Sequence, residues 1–137
     1  MSLGLCLAVA TSIATALPVE RFTLSWMHSV EKVSWEEDWR IDPVRDNLVL
    51  VESRLRGSGA GMDPPDGAVL RDGVWHAPGG LVVPRLRLAL SEFTDDWQLC
   101  TASACKPLLA HVEARVGTVE LFACPIRRIQ GSSSTGD

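Results

Sequence analysis

The stretch FTLSWMHSVEKVSWEEDWRI, residues 22–41, decides the fold because apolar and polar residues alternate with a period of two in both of its halves. In the first half, one face carries Phe22, Leu24, Trp26 and His28. In the second half, one face carries Val33, Trp35, Glu37, Trp39 and Ile41. A short polar turn at Glu31-Lys32 separates the halves, so the stretch predicts a β-hairpin whose apolar face also holds His28 and Glu37.

The rest of the chain continues the strand pattern. A third strand is predicted for residues 48–56 after an Asp42-Pro43 turn, with Leu48, Leu50, Glu52 and Arg54 on one face. Further strand-like segments are residues 68–70, 74–76, 86–90, 97–101, 106–116 and 119–124. Short strands, frequent turns and no long amphipathic helix predict an all-β antiparallel sandwich or barrel-like single domain over residues 18–126. The composition of residues 127–137 is typical of a flexible tail.

The first 17 residues have a different pattern. An apolar run from Leu3 to Leu17 ends in Ala14-Thr15-Ala16, which matches a signal-peptidase site. The run is shorter than the ~20 residues that span a bilayer. We therefore expect a signal peptide or a short membrane anchor over residues 1–17, with a buried N-terminal helix as the alternative. The domain would then lie outside the cytoplasm.

The net charge and the cysteine spacing indicate which partners, disulfides and metal sites are expected. The formal net charge is −4, with no concentration of basic residues, so nucleic acid is not expected as a partner. Cys100 and Cys105 flank four small residues and form a candidate disulfide in an oxidising compartment, with two reduced thiols as the alternative. Cys124 is expected to be a buried thiol, because Cys6 would leave with a signal peptide. The cysteine spacing indicates no metal site, and no motif for a cofactor is present.

A glycine-rich loop follows the third strand, GSGAGMDPP at residues 57–65. It lacks the residues of a phosphate-binding loop, so a surface loop with positive φ at its glycines is the favoured interpretation. A role in ligand binding is the alternative, since binding residues collect on loops. The candidate contacts for a small anion or organic acid are Arg54, Arg56, Gly57, Gly59, Gly61 and Met62.

The polar residues of the hairpin include a histidine, a serine and two glutamates that are candidates for catalysis. His28 cannot activate Ser29, because neighbouring residues of a strand point to opposite faces, and Glu31 projects away from His28. The stronger hypothesis pairs His28 with Glu37 on one face, either as a general acid/base or as a satisfied polar pair in the core. The structural version is favoured, because no nucleophile, oxyanion donor or metal ligand accompanies the pair.

The tryptophans of the hairpin have two interpretations. Aromatic faces can form a platform for a sugar or a cation. A structural core cluster is favoured, since all three lie on the apolar stripe of their strands: Trp26, Trp35 and Trp39.

The strings FTLSWMHSVE, WEEDW and GSGAGMDP together resemble a bacterial family, the domain of unknown function 1850. The resemblance runs from the end of the apolar segment to about Cys105. It implies a small exported or membrane-linked protein, encoded beside or fused to the membrane subunit of a tripartite ATP-independent periplasmic transporter with a TAXI-class solute receptor. The family motif maps, without a known role, onto His28, Ser29, Glu31, Trp35, Glu37, Gly59 and Gly61.

These observations predict an accessory interaction protein rather than an enzyme. The expected partner is the transporter membrane subunit or the solute receptor, bound through the first hairpin and the loop at residues 57–65. One alternative is a binding module for a small anion or organic acid. A second is a hydrolase or lyase that uses His28 and Glu37.

Overall fold

A computed structural model describes residues 2–10, 12–28, 33–56, 66–90, 97–112 and 117–126. The strands are β1 (Ser2–Val9), β2 (Ser12–Leu17), β3 (Arg21–His28), β4 (Val33–Asp42), β5 (Asn47–Arg56), β6 (Val69–Arg71), β7 (Val74–Pro78), β8 (Val82–Val83), β9 (Leu86–Leu90), β10 (Gln98–Cys100), β11 (Cys105–Pro107) and β12 (Gly117–Ile126). A short helix, α1 (Leu108–Val112), precedes β12.

Two antiparallel sheets pack face to face. The small sheet has the order β2-β1-β12-β9. The large sheet has the order β11-β10-β3-β4-β5-β7-β6, and β8 also pairs with β5. The prediction of an all-β antiparallel sandwich is therefore confirmed.

The apolar faces of the two halves of the hairpin of residues 22–41 coincide, as their alternation predicts. Phe22 lies opposite Trp39, and Trp26 lies opposite Trp35. Their face meets the small sheet, and the core between the sheets contains Leu5, Leu7, Phe22, Leu24, Trp39, Ile41, Leu48, Leu88, Leu90, Leu99, Leu108, Val112, Val119 and Leu121. Burial of these side chains, at roughly 25 cal/mol per Å² of apolar surface, holds the layers together.

The strand β5 contains an irregularity that the sequence pattern misses. Trp39 pairs with Leu50 but Asp38 pairs with Glu52, so Val51 is an extra residue in β5. The predicted single face of Leu48, Leu50, Glu52 and Arg54 is therefore wrong, because the bulge moves the last two residues to the outer face.

The segment after β7 satisfies the backbone beside this bulge. The Gly80 N–H donates to the Leu50 carbonyl at 2.7 Å, and the Leu50 N–H donates to the Leu81 carbonyl at 2.8 Å. Gly79 packs so closely on the Leu50 and Val51 carbonyls that a Cβ atom there would collide with them. A glycine is therefore needed at this close approach.

The N-terminal residues form two strands of the small sheet. β1 pairs with β12 along its whole length, from Ser2 opposite Ile126 to Val9 opposite Val119. Leu5 and Leu7 have no exposed surface. A disulfide joins Cys6 to Cys124, so the expectation of an unpaired thiol at Cys124 is wrong. No helix in the described ranges is long and apolar enough to cross a membrane.

The strand predicted for residues 106–116 is wrong in its middle part. The chain forms β11 and then α1, because Leu108 and Val112 are four residues apart and bury themselves on one face of a helical turn. The Leu108 N–H also donates to the Trp97 carbonyl at 2.7 Å. Before this turn, Cys100 lies opposite Cys105 in the β10–β11 pair and is disulfide-bonded to it. The predicted tail, residues 127–137, lies outside the described residues.

Candidate functional site

The outer face of the large sheet carries a network of charged side chains centred on Arg54. Arg54 Nε donates to Glu36 Oε1 at 2.9 Å. Its Nη1 and Nη2 atoms donate to Asp38 Oδ2 and Oδ1 at 2.7 and 2.8 Å. Nη1 also donates to Glu52 Oε1 at 2.9 Å. Such bidentate, charge-assisted hydrogen bonds fix the guanidinium in one orientation.

The network extends to the neighbouring strands. The Thr23 hydroxyl of β3 donates to Asp38 Oδ1 at 2.7 Å. Arg56 Nε donates to Glu36 Oε1 at 3.0 Å. From β7, His76 Nδ1 lies 3.4 Å from Glu52 Oε1, and from β6, Arg71 Nη2 lies 3.9 Å from Glu52 Oε2. Five neighbouring strands are therefore linked by side chains on this face.

The pKa values of the three carboxyl groups follow from these contacts. Hydrogen bonds from Arg54 lower the pKa of Asp38, and they outweigh the opposite effect of burial. Burial raises the pKa of Glu36, but hydrogen bonds from Arg54 and Arg56 outweigh it, so the pKa lies below its ordinary value. Burial also opposes the lowered pKa of Glu52, which results from Arg54 and His76. The pKa of Arg54 is raised, chiefly by its hydrogen bonds to Asp38.

A groove of about 340 Å³ borders the network. Its lining includes Arg21, Asp38 and Val51 on the sheet and the hairpin residues Thr101 and Ala102. The Thr101 N–H donates to the Ala104 carbonyl at 2.9 Å, and the Cys100–Cys105 disulfide closes the same hairpin. One wall of the groove is therefore a covalently closed turn.

Exposed apolar side chains surround the network on the same face. Met27 lies opposite Ser34 and is 45% exposed. Val51, at the bulge, is 40% exposed, and Val69, opposite His76, is 58% exposed. A mixture of exposed apolar residues with arginines and ordered polar groups is typical of protein interaction surfaces.

Two of the predicted anion contacts lie in this network. Arg54 and Arg56 are brought together, but every nitrogen of the Arg54 guanidinium already donates to a carboxylate. The other predicted loop contacts, Gly57, Gly59, Gly61 and Met62, lie outside the described residues.

The hypothesis that His28 pairs with Glu37, as a structural or a catalytic pair, is not supported by the strand register. His28 lies opposite Val33, whereas Glu37 lies opposite Leu24. Four residues along one strand amount to about 13 Å, so the two backbone positions are far apart. The Glu37 carboxylate instead accepts a hydrogen bond from Trp39 Nε1 at 3.2 Å. Ser29 and Glu31 lie outside the described residues.

The three predicted core tryptophans have different environments. Trp39 is buried between the sheets. Trp35 is half-buried. Trp26, also half-buried, stacks on Trp97 of the neighbouring chain segment, with ring centroids 6.1 Å apart.

Sequence reasoning missed the carboxylates of the site. Glu36 and Asp38 were not among the candidate site residues, yet both bind Arg54. A usable signal was the presence of acidic residues at two alternate positions of β4 beside Arg54 and Arg56 of the next strand. In the described part of the chain, no three His, Cys, Asp or Glu side chains are arranged to hold a metal ion.

A comparison with protein families matches residues 22–108 to the domain of unknown function 1850. The chain belongs to this family. No curated protein and no solved structure matches it. The segment matched to the domain of unknown function 1850 begins in β3 and ends at the start of α1, so it contains the whole charge network and, apart from Arg21, the residues that line the groove beside it. The strands β1, β2 and β12 lie outside it.

Proposed function

We propose that this chain is an extracytoplasmic accessory domain that binds a component of a TAXI-type tripartite ATP-independent periplasmic transporter. The partner is the membrane subunit or the solute receptor. The contact surface is the outer face of the large sheet, which we define by the charge network and the exposed side chains of Met27, Val51 and Val69.

The observation that carries this proposal is the internally paired state of the network. Arg54 donates to three carboxylates through all three of its guanidinium nitrogens, which uses four of its five N–H groups. A pre-organised polar surface costs little ordering entropy when a protein partner binds. The exposed apolar residues around it would supply the buried area of such an interface.

The proposed partner is inferred from the family resemblance, and the proposed compartment is inferred from the disulfides. The family resemblance points to the transporter, through the gene arrangement of its members. The two disulfides are compatible with an oxidising compartment, where such bonds form and persist.

Co-purification from membranes tests the proposal. The chain, the membrane subunit and the solute receptor would be produced together, and complexes detected by native mass spectrometry with and without transported solute. We expect a complex with one of the two components. No association in any ligand state would contradict the proposal.

Matched variants then locate the surface. Met27→Glu and Val69→Glu place a charge on the proposed surface at exposed positions, so both should fold and weaken the complex by about tenfold or more. Val44→Glu is the control, because Val44 is 85% exposed in the β4–β5 turn. Equal affinity of all three variants would place the interface elsewhere.

A further inference from the structure

A second groove lies on the opposite side of the sandwich, on the outer face of the small sheet. Its volume is about 420 Å³, and its lining is Ala8, Ala10, Ile13, Arg85, Arg87, Glu120 and Phe122. The strand register explains its position. Ile13, Ala8, Glu120 and Arg87 form one row across β2, β1, β12 and β9, with the small Ala8 between larger side chains.

The rest of this face is filled by other groups. A Cβ atom at Gly4 would collide with the Ile126 side chain, which therefore occupies the space above Gly4. Cys6 is buried and bonded to Cys124. The groove lies over the small, buried side chain of Ala8, between Ile13 and Glu120 in the same row.

The charges in the groove do not balance. Arg85 Nη1 and Arg87 Nε donate to the two oxygens of Glu120, at 3.0 and 2.8 Å. One carboxylate thus serves two guanidinium groups, which leaves one positive charge in excess among the lining residues. The Arg87 side chain is 73% exposed, so donors remain available to a bound anion.

The aromatic ring of Phe122 fixes one of these cations. The Arg85 guanidinium carbon lies 4.2 Å from the centre of the ring, a cation–π geometry. The groove also has apolar surface next to its two arginines. This surface consists of the stacked face of Arg85 together with Phe122, Ala8 and the exposed side chain of Ile13. The groove therefore combines a place for one negative charge with a place for a short apolar group.

We propose that this groove binds a small amphiphilic monoanion, a carboxylate that carries a short aliphatic or aromatic group. The carboxylate binds Arg87 and the free edge of Arg85, and the apolar group lies against Phe122 and Ile13. A monocarboxylate matches the single excess positive charge, whereas a phosphate dianion would exceed it. The site is separate from the surface proposed for the transporter partner, so either proposal can fail alone.

Titration of the full chain with hexanoate, followed by two-dimensional NMR, tests this proposal. We expect saturable shifts confined to residues of the groove, with a dissociation constant of about 1 mM. Acetate and hexanol should each bind about tenfold more weakly, because each lacks one of the two recognised groups. Hexyl phosphate tests the headgroup, and tighter binding of hexyl phosphate than of hexanoate would overturn the assignment of a carboxylate.

Variants separate the contributions of charge and ring. Arg87→Gln should weaken hexanoate binding by about tenfold, and Phe122→Leu should weaken it by a smaller factor. Arg45→Gln, at an exposed arginine of the β4–β5 turn, is the matched control and should bind as the unaltered chain does. The proposal would be overturned by equal binding to Arg87→Gln and the control, or by binding to anionic lipid vesicles without binding to hexanoate.

Discussion

Arg54 has an unusual position for a residue on the outer face of a sheet. Its side chain is 16% exposed, and its three nitrogens donate to carboxylates of β4 and β5. Removing one partner from a partly buried network leaves the others desolvated without compensation. The stability of this face therefore depends more on Arg54 than on any one of its carboxylates.

Arg54→Met should lower the free energy of unfolding by about 1–3 kcal/mol, after allowance for the solvent that screens the network. Urea denaturation followed by tryptophan fluorescence measures the change. Arg45→Met, in an exposed turn, is the control and should stay within about 0.5 kcal/mol of the unaltered chain. A loss no larger for Arg54→Met than for Arg45→Met would show that the network contributes no stability.

At the scale of single elements, the carboxyl groups that β4 and β5 contribute to the network predict that the stability of the fold depends on pH. The pKa values of Asp38, Glu36 and Glu52 are lower in the folded chain than their ordinary values of 3.8, 4.5 and 4.5. The unfolded chain therefore binds more protons near these values, so stability increases with pH there. The stabilisation is fully present above about pH 5 and is lost as the pH falls through the folded-state values.

The measurement is the urea midpoint between pH 3 and pH 7. We expect a decrease below about pH 4.5 in the unaltered chain and a smaller decrease in Arg54→Met, in which the cause shared by all three depressed pKa values is removed. Identical pH profiles for the two chains would assign the acid sensitivity to other carboxyl groups.

The elements differ in how far the sequence predicts them. The hairpin of β3 and β4 was predictable because its period-two alternation reflects burial of one face, and the register confirms it. The bulge at Val51 was not predictable, since residues 48–51 are a continuous apolar run in which no change of face is visible. The helix α1 was missed because its two buried positions are too few to show a helical period.

The site was less predictable than the fold. Arg54 and Arg56 were identified, but their pairing with Glu36, Asp38 and Glu52 depends on the register of two strands, which the bulge shifts. The interpretation of Glu37 changed because the β3–β4 register, which has no bulge, places Leu24 opposite it rather than His28. Contacts between strands are set by tertiary structure, and a single sequence carries little information on them.

At the scale of the whole molecule, the sandwich depends on its N-terminal strand. β1 lies between β2 and β12 in the small sheet, and its residues Leu5 and Leu7 are completely buried. The same residues also have the pattern of a signal peptide or anchor, because a central strand and a signal sequence are both continuous apolar runs. The disulfide from Cys6 to Cys124 ties this strand to β12.

Paired cysteine substitutions test the role of this strand. The Cys6–Cys124 bond joins residues 118 positions apart, whereas the Cys100–Cys105 bond joins residues five positions apart. Loop-closure entropy predicts that the double change Cys6→Ser and Cys124→Ser costs about 4–5 kcal/mol, against about 2 kcal/mol for Cys100→Ser and Cys105→Ser. Urea denaturation of the oxidised proteins compares them. No loss for the first pair, with a mass that shows cleavage after Ala16, would mean that residues 1–16 are a signal peptide.

The central claim is that the outer face of the large sheet contacts the transporter, and site-specific photocrosslinking in cells tests it most directly. The photoreactive residue p-benzoylphenylalanine would replace Met27, Val69, Val44 or Ile13, one at a time, and crosslinked products would be identified by mass spectrometry. The account predicts crosslinks to the membrane subunit or the solute receptor from positions 27 and 69, and none from positions 44 and 13. Crosslinks to the transporter from position 13 alone, or from none of the four positions, would contradict it.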